Sequence, residues 1–256
     1  MTVFPTSPWL VFSNALLTNT SIWSLVVPTL TLRGYNLLLH DQRGHGLSSV
    51  PDPPVCTMTE LADDIATLLD YFGIPKAHAV IGISQGGAAA LQFSLRHPER
   101  TKRIIACDTQ EKSPQVDIVS KEEIERAKRD GMGALAVEIA ARWFSPASPL
   151  HPLSGTPESK AVLEMISATP VLGFEAGASS LRDYDLIADG LLQSKVKTLL
   201  VAGENDAPLF DRMKLLKIEW SMAGGRVRFA PVNGSGHLPI LDGADKWLEA
   251  VIGFLE

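Results

Sequence analysis

The sequence predicts an α/β fold with a mostly parallel, doubly wound sheet that carries helices on both faces. Short apolar runs at residues 9–13, 35–40 and 77–81 alternate with segments of helical periodicity. Continuously apolar strands are typical of parallel sheets, because helices cover both faces of such a sheet. With 256 residues, 45% of them hydrophobic, the chain is long enough for one domain of this class.

Three later apolar runs complete the predicted sheet. These strands are expected at residues 103–107, 196–202 and 226–232. The helix predicted at residues 57–72 begins with Thr57 and Glu60, a spacing at which the two side chains cap each other's backbone N–H groups. Further helices are predicted at residues 209–223 and 244–255.

The alternation of strands and helices stops between residues 111 and 186. Helical periodicity and Pro-rich joints predict helices at residues 120–144, 157–168 and 171–180, with no strand pattern among them. We therefore expect a core domain of residues 1–110 and 187–256. Residues 111–186 are expected to form a helical lid inserted between the two halves of the core.

One serine lies where a strand is predicted to turn directly into a helix. Residues 82–86 have the sequence Gly-Ile-Ser-Gln-Gly, between the strand at 77–81 and an Ala-rich helical run at 88–95. In this context the G-x-S-x-G pattern indicates a nucleophile elbow, a tight turn that exposes the serine hydroxyl. Ser84 is therefore the predicted nucleophile.

A nucleophilic serine needs a base to accept its proton, and the base needs a carboxylate that orients it. His237 lies in a Gly-rich loop after the strand at 226–232, and Asp206 lies in a loop after the strand at 196–202. Serine, acid and histidine in these positions predict the α/β-hydrolase fold. Asp108, at the end of an earlier strand, remains the alternative acid.

Two backbone N–H groups are expected to form an oxyanion hole beside Ser84. The residue after the nucleophile, Gln85, would supply one of them. Ala15, in the loop after the first strand, would supply the other. Its neighbour Asn14 has two possible roles, because its side chain can orient this loop or add an amide to the site.

The composition excludes several classes of partner. A net charge of −6 disfavours nucleic acid and anionic membranes. There is no apolar stretch of about 18 residues, so no membrane span is predicted. The two cysteines, Cys56 and Cys107, do not suggest a disulfide framework, and we expect a cytoplasmic protein that needs no metal or other cofactor.

Several segments of the chain resemble one enzyme family, the 3-oxoadipate enol-lactonases. They are Ser13-Asn14-Ala15-Leu16 with Trp23, residues 41–48, the elbow, residues 97–100, residues 203–206, Gly236-His237, and residues 141–146 and 180–185. The similarity extends over nearly the whole chain from Trp9 onward. The resemblance implies hydrolysis of a small enol-lactone that carries a carboxylate, without a cofactor.

The chain departs from this family at three places. Only eight residues precede the strand at 9–13, where the family has about two further strands, so we expect a shortened sheet whose edge could support a homodimer. Leu17 stands where the family often has glycine, and Gln85 stands where methionine is common. These changes bear on the substrate more than on the class of reaction.

A carboxylated substrate would favour an arginine, whose planar guanidinium pairs bidentately with a carboxylate. Arg142 and Arg182, both in the expected lid, are the candidates, and a surface or hinge salt bridge is the alternative role for each. Trp143 is predicted to pack within the lid, a role compatible with contacting the substrate.

The sequence leaves three functions open. The first is a serine hydrolase that acts on a small-molecule lactone or carboxylic ester through an acyl-enzyme. The second uses the same residues to hydrolyse a C–C bond in a β-diketone or ring-cleavage product. The third is a hydrolase-fold protein that binds a small ligand without catalysis. A carboxylate nucleophile, as in epoxide hydrolases, is disfavoured because the elbow carries Ser84.

Overall fold

The computed structural model describes residues 6–114 and 119–256, and these residues form a sheet of six parallel strands. The strands are β1 (Trp9–Ser13), β2 (Asn36–Leu39), β3 (Ala79–Ile83), β4 (Arg103–Cys107), β5 (Lys197–Gly203) and β6 (Val227–Val232). Their order across the sheet is β2-β1-β3-β4-β5-β6. The chain moves from β1 outward to β2 and returns to β3 on the other side of β1. Such a reversal is typical of a doubly wound sheet, which confirms the predicted fold class.

Ten α-helices accompany these strands in the described residues. They are α1 (Val27–Leu32), α2 (Met58–Tyr71), α3 (Gln85–Arg96), α4 (Lys121–Asp130), α5 (Gly133–Trp143), α6 (Pro157–Ser167), α7 (Val171–Ser180), α8 (Leu209–Met222), α9 (Pro239–Asp242) and α10 (Ala244–Leu255). Helices α4 to α7 lie between β4 and β5, and we call them the helical insertion.

Alternate residues of the strands belong to two separate hydrophobic layers. Leu10 and Phe12 of β1 join one buried cluster together with Trp247 of α10. Val11, between them, joins the other cluster together with Trp220 of α8. All five side chains are fully buried. Because both faces of the sheet are covered, its strands are apolar throughout, which is the pattern visible in the sequence.

The sequence signals at the start of α2 have their expected effect. The Thr57 side chain accepts a hydrogen bond from the backbone N–H of Glu60, and the Glu60 carboxylate accepts one from the N–H of Thr57. Both halves of the capping box are therefore present. The arrangement satisfies N–H groups that have no partner within the helix.

The prediction of one helix over residues 120–144 is wrong, because the structure has two helices there. Helix α4 ends at Asp130, and Gly131 follows with a φ of 80°, a conformation that glycine adopts without the strain of a side chain. Helix α5 starts again at Gly133. The turn lets α4 and α5 pack against each other, which a single straight helix would prevent.

Strand β2 is one edge of the sheet in the described part of the chain, and β6 is the other. Pairing of a second copy along such an edge stays a prediction. Among the described residues, none of the helices combines the length and the apolar character that crossing a lipid bilayer requires.

Candidate active site

Ser84 forms the whole connection between β3 and α3. Its backbone has φ 54° and ψ −121°, a conformation that is rare and strained for a residue with a side chain. Both the N–H and the carbonyl group of Ser84 form hydrogen bonds with the segment at the end of β4. The Ser84 N–H donates to the carbonyl of Cys107 at 2.8 Å, and the Thr109 hydroxyl donates to the Ser84 carbonyl at 2.7 Å.

The glycines of the elbow are required by the close approach of the backbone. A Cβ atom on Gly82 would lie 1.9 Å from the carbonyl oxygen of Gly86. A Cβ atom on Gly86 would lie 2.2 Å from the carbonyl oxygen of Ser13 in β1. No real Cβ atom occurs at such distances, so the tight strand-to-helix turn depends on glycine at both positions.

A chain of hydrogen bonds joins Ser84, His237 and Asp206. The His237 Nε2 atom lies 2.9 Å from the Ser84 hydroxyl oxygen, and the Nδ1 atom lies 2.8 Å from Oδ2 of Asp206. Because a carboxylate can only accept, Nδ1 carries the hydrogen, and the serine hydroxyl donates to Nε2. The side chains of His237 and Asp206 are 13% and 11% exposed, so water has limited access to this chain.

The loop that carries His237 is fixed by contacts on several sides. The His237 N–H donates to the carbonyl of Trp143 at 2.8 Å, and the two rings are stacked with centroids 6.4 Å apart. The N–H of Gly236 donates to the Asp242 carboxylate at 3.0 Å. A Cβ on Gly203, in β5, would lie 2.0 Å from the carbonyl oxygen of Gly236. These contacts orient the imidazole toward Ser84.

A cavity of about 430 Å³ opens on this group of side chains. Ser84, Asp206 and His237 all line it. Most of the remaining wall is apolar and consists of Leu16, Leu17, Pro114, Val119, Ile139, Trp143, Phe174, Leu181, Tyr184, Pro208 and Leu209. Helices α5 and α7 of the helical insertion therefore contribute to the wall of the cavity into which Ser84 opens.

Comparison with known proteins agrees with this architecture. The family model described as "alpha/beta hydrolase fold" matches residues 8–244 of the chain. The chain belongs to the α/β-hydrolase fold family.

Individual relatives of this hydrolase-fold chain agree with the resemblance seen in its sequence. It is 30% identical over 202 residues to 3-oxoadipate enol-lactonase 2 of Acinetobacter baylyi, covering 78% of this chain and 72% of that protein. A solved hydrolase from Pseudomonas aeruginosa has a TM-score of 0.88 at 28% identity, over 99% of this chain and 92% of that one. The enol-lactonase from Burkholderia xenovorans has a TM-score of 0.85 at 27% identity, over 98% and 92% of the two chains.

Asp108, the alternative acid of this hydrolase-fold chain, lies beside Asp206 and is not bonded to the histidine. It is fully buried, its Oδ1 accepts the N–H of Gly203 at 2.8 Å, and its Oδ2 has no hydrogen-bond donor among the described residues. Burial, with the carboxyl groups of Asp206 and Asp242 nearby, raises the pKa of Asp108 well above its usual value of 3.8. A proton on one of two adjacent carboxyl groups removes the repulsion between them.

The contacts of Asn14 serve the loop after β1. The Asn14 Oδ1 atom accepts a hydrogen bond from the Trp23 indole at 2.7 Å, and its Nδ2 donates to the carbonyl of His40 at 2.9 Å. The side chain is fully buried, so both ends of the amide are used in joining β1, β2 and the segment at Trp23. Ala15 is buried beside it, and Leu17 has the glycine-like φ of 65°.

Gln85 connects the elbow to the helical insertion. Its Nε2 donates to the carbonyl of Gly177 at 2.7 Å and to the Ser180 hydroxyl at 2.8 Å, both in α7. Its side chain is buried, and the residue also lines the cavity. The sequence singled out Gln85 for its backbone N–H. The contact of its side chain with α7 could not be predicted from any local sequence pattern.

The two arginines predicted near a substrate lie in different places. Arg142 lines the cavity, and its guanidinium forms an ion pair with Glu123 at 2.9 Å. Arg182 follows the end of α7 and is not among the residues that line the cavity. The structure therefore brings only Arg142 into the neighbourhood of Ser84.

Sequence reasoning missed Asp242 and Thr109. Asp242 accepts hydrogen bonds from the Ser235 hydroxyl and the Gly236 N–H, and so supports the loop that carries His237. Burial raises its pKa from the usual value. Thr109 lies two residues after the last residue of β4, Cys107, and this position was the available signal. Asp242 offered none, because α9 is a single turn of helix after the histidine.

Proposed function

We propose that this chain is a serine hydrolase that cleaves a small lactone or carboxylic ester, with Ser84, His237 and Asp206 as its catalytic triad. The observation that carries the proposal is the hydrogen-bonded chain of these three side chains, which opens on a cavity. The arrangement of nucleophile, base and orienting acid is the one that activates a serine. The similarity to an enol-lactonase supports an ester bond as the target.

In the proposed reaction the Ser84 oxygen attacks the substrate carbonyl while His237 Nε2 accepts the hydroxyl proton. Asp206 accepts the Nδ1–H and stabilises the imidazolium that forms. His237 then protonates the leaving oxygen, which departs as an alcohol, or in a lactone stays attached as the far end of the opened ring. Water, deprotonated by His237, attacks the acyl-enzyme and releases the acid.

The negative charge of the tetrahedral intermediate needs hydrogen-bond donors that are already in position. Gln85 is the first residue of α3, where backbone N–H groups have no partner within the helix. Its N–H is the proposed first donor. The N–H of Ala15 is the proposed second, in the loop that Asn14 fixes through Trp23 and His40.

Helices α4 to α7 act as a lid in this proposal, within residues 111–186. Trp143 stacks on His237, and Gln85 donates a hydrogen bond to α7. The lid therefore contacts both the proposed base and the residue that follows the proposed nucleophile. A lid in this position excludes water from the acyl-enzyme except along the cavity. Low access of water strengthens the electrostatic contacts on which the triad depends.

The proposal is tested with the wild type, Ser84→Ala and Asp206→Asn on a panel of lactones, short-chain p-nitrophenyl esters and β-diketones. We expect hydrolysis of lactones or esters by the wild type, loss of activity in Ser84→Ala, and a decrease of about 10⁴-fold in Asp206→Asn, because the imidazole loses its orienting acid. Turnover of β-diketones alone would favour C–C hydrolysis. Full activity in Ser84→Ala would refute the triad.

A further inference from the structure

The charges around the cavity differ from those that a carboxylated substrate would require. Arg142 is the only lysine or arginine that lines the cavity in the described part of the chain. Residues 1–5 and 115–118, which the structure does not describe, contain neither lysine nor arginine in the sequence. His237 also lines the cavity, but it must be neutral to accept the proton of Ser84. A second cation is therefore not available to the cavity wall.

The guanidinium of Arg142 already has an anionic partner. It lies 2.9 Å from the Glu123 carboxylate, and it is also close enough to Glu138 to interact with it electrostatically. Glu123 is itself held in place, because its carboxylate accepts the N–H of Ser120 at the start of α4. The attraction of Arg142 for a substrate carboxylate is therefore offset by the two carboxylates, of Glu123 and Glu138, that already lie near its guanidinium.

Two carboxyl groups, those of Asp108 and Asp206, also line the cavity. Asp206 accepts the Nδ1–H of His237 and lines the cavity wall. The rest of the wall is mainly leucine, isoleucine, valine, proline and aromatic side chains. A carboxylate placed in such surroundings loses its hydration without gaining an unpaired cation, and that transfer is unfavourable.

We infer that the cavity selects an uncharged, apolar acyl group or lactone ring over a substrate that carries a carboxylate. This inference rests on the proposed hydrolase function and narrows its substrate class. It separates this chain from the carboxylated enol-lactone that the family resemblance implies. Arg142 is the one lysine or arginine on the described cavity wall, and its ion pair with Glu123 offsets its attraction for a substrate carboxylate.

The test uses substrates that differ in one group. The p-nitrophenyl esters of pentanoic acid, of glutaric acid as its free monoacid, and of glutaric acid methyl ester have the same acyl backbone. We expect kcat/KM for the pentanoyl ester to exceed that for the glutaryl monoacid by about tenfold or more, because the carboxylate is desolvated without a partner. The methyl ester should behave like the pentanoyl ester, which separates charge from length.

Arg142→Gln is compared with Arg129→Gln, which removes the same charge from an exposed arginine that does not line the cavity. We expect the ratio between neutral and charged substrates to change by less than about threefold in both variants, because the ratio does not depend on a bond between Arg142 and substrate. Equal or faster turnover of the glutaryl monoacid by the wild type overturns the inference. So does a loss in Arg142→Gln that is confined to the charged substrate.

A binding measurement keeps this inference separate from the proposed function. Ser84→Ala is titrated by calorimetry with pentanoyl and glutaryl p-nitroanilides, which report the preference of the cavity without any chemistry. Tighter binding of the pentanoyl compound supports the inference even if no ester is turned over. Equal or tighter binding of the glutaryl compound overturns it even if the triad is active.

Discussion

Replacing Asp108 by asparagine should preserve activity, because an asparagine side chain offers the same contacts as a protonated aspartate. The amide oxygen can accept the Gly203 N–H that Asp108 Oδ1 accepts at 2.8 Å, and the amide NH₂ can donate toward Asp206. Asparagine also tolerates the positive φ of 43° at this position. We expect kcat/KM to stay within about threefold of the wild type, since Asp206 keeps its place on His237.

The contrasting variant is Asp108→Gly, which adopts the same backbone conformation without strain but provides no side chain. The buried N–H of Gly203 then has no acceptor, and this should lower the free energy of unfolding by about 1–3 kcal/mol. Asp206 loses its neighbour, and we expect kcat/KM to fall by about tenfold to hundredfold as the imidazole loses its alignment. Equal losses in the glycine and asparagine variants would show that the site needs an ionised carboxylate at Asp108.

The pH dependence of stability gives an independent measure of the Asp108 proton. Its pKa in the folded chain is raised above 3.8, so the folded state holds the proton more tightly than the unfolded state. The contribution of Asp108 to the free energy of unfolding should therefore decrease as the pH rises from about 4 through the folded pKa, by up to about 1.4 kcal/mol per pH unit. The asparagine side chain of Asp108→Asn does not titrate. The free energy of unfolding of this variant, relative to that of the wild type, should therefore increase between about pH 4 and the folded pKa of Asp108.

Urea unfolding at pH 4, 5, 6, 7 and 8 measures this difference. Titration of carboxyl groups that lie far from Asp108 is common to both proteins and cancels to first order. A difference between the two proteins that is constant with pH would mean that Asp108 titrates as it does in the unfolded chain. Burial beside Asp206 would then not hold a proton on Asp108.

Three further predictions follow from the packing. Gly82→Ala should give an inactive and poorly folded protein, because the added carbon would lie 1.9 Å from a carbonyl oxygen of α3, and soluble, active protein would contradict this. Asn14→Ala should lower the free energy of unfolding by about 1–3 kcal/mol by leaving the buried Trp23 indole N–H without an acceptor, so an unchanged melting temperature would count against that bond. Cys56 and Cys107 are both buried, and burial raises the pKa of Cys56 to about 12, so a thiol reagent at pH 8 should modify neither until urea is added.

The sequence predicts those parts of this fold that depend on local patterns. The strand at Arg103–Cys107 and the helices Val171–Ser180 and Ala244–Leu255 have the predicted bounds, because apolar runs and helical periodicity act over a few residues. Strand β3, which leads into the elbow, was predicted at residues 77–81 and lies two residues later, at Ala79–Ile83. Ala77 forms an isolated bridge with Thr101 instead, since the sheet has not yet begun there.

Features that depend on contacts between residues far apart in the chain could not be predicted from the sequence. Asn14 has two possible roles in the sequence, and its observed partners lie 9 and 26 residues away. The helix α1 and the short 3₁₀ helix at Thr20–Trp23 were both missed, because packing of Trp23 against Phe12 and Trp247 stabilises this segment more than its own propensities do. The glycines on either side of Met132 were a sequence signal for the break between α4 and α5. The prediction followed the helical periodicity of the whole segment instead.

The candidate site shows the same division. Chain order and the position of loops after strands identified Ser84, Asp206 and His237, which the structure joins by hydrogen bonds. Chain order already favoured Asp206 over Asp108, although both follow strands that end at the same edge of the sheet, and Asp206 is the one hydrogen-bonded to His237. The ion pair between Arg142 and Glu123 could not be predicted, because the two residues lie on separate helices.

The most direct test of the account is a search for a covalent acyl-enzyme. Protein mixed with p-nitrophenyl acetate is quenched in acid during the first turnovers, digested, and analysed by mass spectrometry. We expect one acetyl group, on Ser84, in the wild type and none in Ser84→Ala. Turnover of the ester with no adduct on Ser84, or an adduct on another residue that Ser84→Ala retains together with activity, would contradict it.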